Sequence, residues 1–247
     1  MTYGRFAYVY DELMKDAPYE KWLMILTAKL EQYGIGGRKV LDLACGTGEM
    51  TVELAQHGFE VTGVDLSDEM LLVANEKAVE LGLTIPLFQQ NMAELEGLGQ
   101  FDCVTIFCDS LNYLRDEADI VKTFSRVHEH LQEGGLFLFD VHSIYKMEEV
   151  FQNHTFAVSD DEVSYIWDCF PGEEPYSVEH ELSFFVKDTQ SGLYDRFDEL
   201  HYQRTYPVDQ YKTWLQQAGF TVTEVMADLE EASPVTETER ILFIASK

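Results

Sequence analysis

The sequence predicts an α/β fold, in which a mostly parallel sheet is covered by helices on both faces and carries a small antiparallel insert. Three observations predict it. Between residues 38 and 141, short apolar runs alternate with stretches of helical periodicity, the rhythm of strands joined by crossover helices. The run 103–108 is nearly all apolar, as expected of a strand buried on both faces. Between 163 and 206 the pattern changes to alternation with a period of two, the mark of antiparallel strands with one wet face.

Taken in order, the stretch 3–14 is aromatic and expected to pack down. Residues 19–33 read as an amphipathic helix through Trp22, Ile25, Leu26 and Leu30. A first strand covers 39–43, and Gly46-Thr47-Gly48 turns into a short helix ending near His57 and Gly58. A second strand, 60–64, ends at Asp65. Ser67 is placed to cap the next helix, with Asp68 and Glu69 favourable against the dipole of its first turn. Met70, Ala74, Ala78 and Leu81 recur at helical spacing, and Gly82 is the expected stop. A third strand lies near 86–90 and a fourth at 103–108. Ile120, Phe124, Val127 and Leu131 give the following helix one apolar face; Gly134-Gly135 is expected to end it and open a fifth strand, 136–141. Three alternating runs, 163–170, 177–187 and 194–206, then form a meander, with Val178, His180, Leu182, Phe184 and Val186 on one face of the middle strand. A helix at 208–218, stopped by Gly219, and strands at 221–227 and 241–246 bring the main sheet to seven.

Composition narrows the function. Seventeen Lys and Arg against 45 Asp and Glu give a formal charge of −28, which repels phosphate backbones and anionic membranes. Nucleic acid and membrane are therefore poor partners, whereas cationic ligands are tolerated. No apolar run approaches the ~18 residues of a membrane span, and the start lacks a basic segment followed by an apolar one. Cys45, Cys103, Cys108 and Cys169 form no CxxC pair; they read as reduced thiols of a cytoplasmic protein, with no metal site.

The chemistry concentrates at Asp42-Leu43-Ala44-Cys45-Gly46-Thr47-Gly48. An acidic residue closes an apolar strand, glycines let backbone approach a ligand, and a second acid, Asp65, closes the next strand. A dinucleotide needs a third glycine, where Thr51 stands, and Asp42 would oppose its pyrophosphate. A Walker loop fails because no Gly-Lys-Ser/Thr follows. A ligand with an adenosine end and a cationic amino-acid end suits both carboxylates: Asp65 for ribose hydroxyls, Asp42 for an ammonium group. S-adenosylmethionine has that form. The plainer reading makes both acids turn residues.

Residues 38–141 resemble the class I, seven-strand, Rossmann-like S-adenosylmethionine-dependent methyltransferases. The Asp42–Gly48 turn resembles their first motif, Gly63-Val64-Asp65-Leu66-Ser67-Asp68-Glu69-Met70-Leu71 their second, and the run from Phe101 to Leu114 their fourth-strand motif. Over the full length the chain is similar to YqeM-like bacterial methyltransferases and, more weakly, to amino-sugar N,N-dimethyltransferases. The resemblance implies a cofactor site of Tyr10, Asp42, Ala44, Gly46, Gly48, Asp65, Leu66, Met70, Asn91, Met92 and Cys108. Leu66 and Met70 would flank adenine, and Cys108 would face the methionyl part by its backbone. Asn91 replaces the family's Asp on the adenine amino group; its amide oxygen can still accept. Tyr10 would close over the methionyl end. The product would be S-adenosylhomocysteine.

Methyl transfer asks the protein mainly for position and a dry cavity. Acceptor-side groups should follow the fourth and fifth strands or lie on the insert. Asp109 is the first candidate to orient an amine or take its proton, or else caps a turn. His142 has the position of a substrate-side base, or is simply a hydrogen-bonded strand-end histidine. Asn112 and Tyr113 share the Asp109 loop, Tyr113 being equally suited to the core. His201 is an acceptor-side candidate by resemblance, whereas His180 reads as a satisfied core histidine. Arg240 would hold a substrate anion, or pair with Glu237 or Glu239.

The expected organisation is an N-terminal segment over the cofactor site (1–37), a cofactor-binding core (38–147), an inserted lid or dimerisation sheet (148–206) and a core completion (207–247). The expected function is methylation of a small molecule, at nitrogen before oxygen, by a monomer or by a homodimer through the insert. The alternatives are methylation of RNA or protein, and a cofactor-binding scaffold without turnover.

Overall fold

The computed structural model describes residues 3–188 and 190–247. The chain opens with α1 (Tyr3–Leu13) and α2 (Tyr19–Gln32), then alternates through β1 (Lys39–Leu43), α3 (Glu49–Gln56), β2 (Glu60–Asp65), α4 (Asp68–Glu80), β3 (Leu87–Gln89), β4 (Phe101–Ile106), α5 (Glu117–His130) and β5 (Leu131–His142). The insert carries β6 (Thr155–Val158), β7 (Val163–Pro171), β8 (Ser177–Lys187) and β9 (Tyr194–Arg204). It is followed by α6 (Val208–Gln217), β10 (Thr221–Ala227) and β11 (Arg240–Ser246).

The main sheet has the order β10-β11-β5-β4-β1-β2-β3, with β11 antiparallel to both of its neighbours and the remaining pairs parallel. From β1 the chain moves outward to β2 and β3, then crosses back to β4. The strand order reverses there, and the carboxyl ends of β1 and β4 frame the crevice in which such sheets bind ligands. Alternate residues of the same strands serve opposite layers. Leu41, Val104, Phe137, Phe139 and Phe243 pack with Phe124 of α5 and Trp214 of α6. Val40, Cys103, Leu138 and Ile244 pack with Trp22 and Leu26 of α2 and Leu54 of α3. That two-sided burial is why the central strands read as unbroken apolar runs.

The Ser67 cap forms, its Oγ accepting from the Met70 N–H at 3.2 Å. Two expectations are corrected. The insert has four strands: β6 precedes the predicted three, and its four residues, exposed except for the half-buried Phe156, give no alternation to read. The helix before β5 ends at His130, and Gly134-Gly135 lies within the extended β5. Gly135 serves a close approach there, since a Cβ on it would sit 2.9 Å from the Asp102 carbonyl oxygen, while Gly134 takes a left-handed φ of 76°. In β8, Val178, His180, Leu182 and Phe184 are buried together as predicted, with Val186 partly covered beside them. This face of the insert meets Phe6 and Val9 of α1 and Met70 and Val73 of α4. Among the described residues, no helix is long and apolar enough to cross a membrane.

Candidate active site

After β1 the backbone turns through Ala44, Gly46 and Gly48 at φ 54°, 53° and 79°. This conformation favours glycine, and at Gly48 a Cβ would also lie 2.8 Å from that of Ala74. Asp65 ties the turn from the neighbouring strand. Its Oδ2 accepts the Gly46 N–H at 2.8 Å and its Oδ1 the Ser67 N–H at 2.9 Å. Asp42 is buried beneath the turn, accepting from the Thr51 hydroxyl at 2.6 Å and the Thr105 hydroxyl at 3.0 Å.

Burial pushes the Asp42 carboxyl up to about 6, against those two hydroxyls. A carboxyl raised on folding contributes stability that is present below its unfolded value and lost as pH rises through the folded one. Asp42→Asn should therefore be more stable than the parent at about pH 8, by up to roughly 2–3 kcal/mol, and little changed near pH 4. Urea unfolding at both pH values checks this; equal loss at both would refute it.

The turn lines a small cavity of about 30 Å³. Asp42, Ala44, Cys45, Gly46, Thr47, Phe107, Cys108 and Ser110 line it together with Tyr10 of α1 and Tyr19 of α2. Among the described residues no Lys or Arg lines it, whereas Asp42 and Glu49 do. Asp11 of α1 accepts from the Thr47 hydroxyl, fixing the helix that carries Tyr10 onto the turn. Beside the cavity, Leu66 is 67% exposed at the tip of β2, while Met70 is buried at the start of α4. The Asn91 side-chain oxygen accepts the Ala93 N–H at 2.9 Å, capping the turn that holds Met92. The oxygen expected for adenine thus already has one partner.

Beyond β4, Cys108 and Asp109 take left-handed conformations in succession, at φ 56° and 51°. The Asp109 side chain does not cap the following turn. Its Oδ1 accepts from Arg240 Nη2 at 3.0 Å, and its Oδ2 from Gln203 Nε2 at 2.8 Å and His142 Nε2 at 3.1 Å. Burial works against its ionisation, but His142, Arg240 and Gln203 outweigh it and hold the carboxyl far below the usual range. Burial lowers His142 below an ordinary histidine, against the pull of Asp109, and so favours the neutral imidazole. With Nε2 donating to Asp109, its Nδ1 is an acceptor, and this buried atom makes no hydrogen bond.

Arg240 is a correction: it pairs with Asp109 and Asp140, not with Glu237 or Glu239, and Glu239 takes Lys146 at 2.6 Å instead. Asn112 is fully buried and joins backbones, accepting from the His142 N–H at 2.9 Å and donating to the Arg204 carbonyl at 2.8 Å. It clasps the loop to β5 and β9. Tyr113 is about half exposed, its ring edge toward His201 at 5.9 Å, and His201 lies 5.1 Å from the Phe6 ring of α1. His180 is a hydrogen-bonded core histidine as read. Gln203 is the member that sequence reasoning missed. Asp140 carried a usable signal, since it lies near the end of an apolar strand, as Asp42 and Asp65 do.

Residues 40–135 match a family model described as a methyltransferase domain. A protein of Geobacillus sp. (strain WCH70), assigned as a methyltransferase, is 56% identical over the whole of both chains. A crystal structure of an S-adenosylmethionine-dependent methyltransferase from Clostridium acetobutylicum ATCC 824 superposes with a TM-score of 0.90 at 35% identity, over 100% of this chain and 99% of that one. The chain belongs to the Rossmann-like S-adenosylmethionine-dependent methyltransferases. Its likeness to YqeM of Bacillus subtilis (strain 168), also assigned as a methyltransferase, is 48% identity over all of this chain and 98% of that protein. This methyltransferase is also 31% identical over 170 residues to a ubiquinone biosynthesis O-methyltransferase of Pseudomonas aeruginosa (strain LESB58), covering 67% and 66% of the two chains. The sugar N-methyltransferase KedS8 of Streptoalloteichus sp ATCC 53650 shares the fold, with a TM-score of 0.78 at 21% identity over 97% and 92% of the two chains. The buried acid and the absence of any Lys or Arg from the cavity lining suit a cofactor with ammonium and sulfonium charges.

Proposed function

We propose that this methyltransferase acts in the cytoplasm on a small molecule, at nitrogen, with Asp109 and His142 as the catalytic pair. The observation that carries the reading is His142, whose buried Nδ1 makes no hydrogen bond while its Nε2 lies 3.1 Å from Asp109, whose sequence neighbours Cys108 and Ser110 line the cavity. When bound, S-adenosylmethionine supplies a methyl group activated on a sulfonium. Asp65 takes the ribose hydroxyls and Asp42 the ammonium; Leu66 and Met70 flank the adenine, with Asn91 and Met92 at its edge. Ala44, Gly46 and Gly48 bring backbone close, Cys108 contributes backbone at the methionyl part, and Tyr10 covers it to exclude water.

On the acceptor side, Tyr113 and His201 line the approach, while Asn112 and Arg240 hold the pair in place. His142 Nδ1 would accept an amine N–H, orienting the amine and taking up the proton released on methylation. A neutral amine needs only alignment to attack, whereas a hydroxyl must also give its proton to a base, which is why nitrogen is favoured. The strongly acidic surface argues against RNA.

The test is S-adenosylhomocysteine release with amine-containing and with hydroxyl-only metabolite fractions. Amine fractions should support turnover, and His142→Gln should lower it roughly 10²–10⁴-fold while cofactor affinity holds. Turnover confined to hydroxyl-only fractions would sink the nitrogen assignment.

A further inference from the structure

The inserted sheet reaches the active site through hydrogen bonds that can point only one way. An indole N–H can only donate, so Trp167 Nε1, 3.0 Å from His180 Nδ1, fixes that nitrogen as an acceptor. The neutral His180 must then carry its proton on Nε2, which lies 3.1 Å from Gln203 Oε1. With its oxygen committed to His180, the Gln203 amide presents Nε2 to Asp109 Oδ2 at 2.8 Å. Trp167, His180 and Gln203 come from three successive strands, β7, β8 and β9, and the chain ends on the carboxylate that holds His142. His180 and Gln203 are both buried. Cys169 Sγ lies 3.3 Å from the same His180 nitrogen and leaves its acceptor role unchanged.

We propose that Gln203 is a positioning residue, oriented through His180 by Trp167, and that the inserted sheet thereby sets the basicity of His142 as well as covering the site. This rests on the proposed roles of Asp109 and His142, but its test needs no acceptor molecule. Gln203 draws on the same Asp109 oxygen that His142 uses. Removing it leaves that oxygen to the imidazole alone and favours the imidazolium. The other charged or titratable groups around His142 are Arg240 from β11, Lys146 from the segment after β5, Asp140 from β5 itself and His180 from β8.

The experiment is ¹⁵N-detected imidazole NMR on the full chain. The parent should show His180 as the Nε2–H tautomer, and Gln203→Met should raise the His142 midpoint by roughly half to one pH unit. Trp167→Phe keeps the packing and removes only the anchor, so it should mix the His180 tautomers even if Gln203→Met fails to fold. S-adenosylmethionine affinity, measured alongside, should stay within about twofold, since no relay residue touches the cofactor cavity. A parent His180 carrying its proton on Nδ1, or a folded Gln203→Met with an unmoved His142 midpoint, overturns the proposal. Failure of the nitrogen assignment would leave the His180 tautomer and the His142 midpoint shift as expected here.

Discussion

Arg240→Met should destabilise the protein by about 3–5 kcal/mol at about pH 8, the loss expected when one partner of a buried ion pair is removed. The guanidinium bridges Asp109 and Asp140, the latter fully buried, and its carbon lies 5.3 Å over the Trp22 ring. Methionine fills much of the volume but leaves both carboxylates without their cation. The deficit should depend on pH. Burial already lifts Asp140 to about 6 in the folded protein, against the pull of Arg240. Without the arginine it rises further above its unfolded value, so its contribution to stability is present in acid and lost as pH climbs through the folded value. Unfolding by urea near pH 5 and near pH 8 should show the smaller deficit at the lower pH. Arg240→Lys should recover part of it, because it restores charge without the two-armed fork. A deficit under about 1 kcal/mol, the worth of an exposed pair, would mean the network is solvated and not buried.

The same arginine shows where the sequence was readable and where it was not. The half proposed for the cofactor is local: Asp42, the glycine turn and Asp65 fall within two strands and one helix, and each sits at a strand end that apolar patterning marks, so patterning alone singles out these residues. The half proposed for the acceptor is assembled across long separations, Asp109 with Gln203, His142 and Arg240. No period in the sequence encodes those meetings. Proximity along the chain assigns Arg240 its nearest acids, yet β11 runs antiparallel to β5 and sets Arg240 opposite His142, two residues along the ladder from Asp140, the partner of Leu242. The glycine pair within β5 reads as a helix end for a related reason. Gly135 is required by a close approach to Asp102 of β4, not by a helix end. Strand β6 lacked any alternation, so its pairing with β7 is visible only in the fold.

Asp65→Ala should abolish measurable S-adenosylmethionine binding, a loss of roughly a hundredfold or more, while the chain still folds. A carboxylate has about four lone-pair sites. Asp65 uses one on each oxygen for the Gly46 and Ser67 N–H groups, leaving one acceptor on each for a ligand with two adjacent hydroxyls. Alanine removes those acceptors and also releases the Gly46 N–H, loosening the turn that lines the cavity. Asp65→Asn separates the two effects. It keeps the shape and one acceptor, but its amide nitrogen cannot accept, so it must give up either a backbone tie or a hydroxyl contact. Its affinity should fall between those of the parent and the alanine variant. Calorimetric titration of all three proteins, beside far-ultraviolet circular dichroism to confirm folding, decides the matter. Parent-like affinity in a folded Asp65→Ala would show that the ribose is held elsewhere, and the assignment of the β2 tip would fall with it.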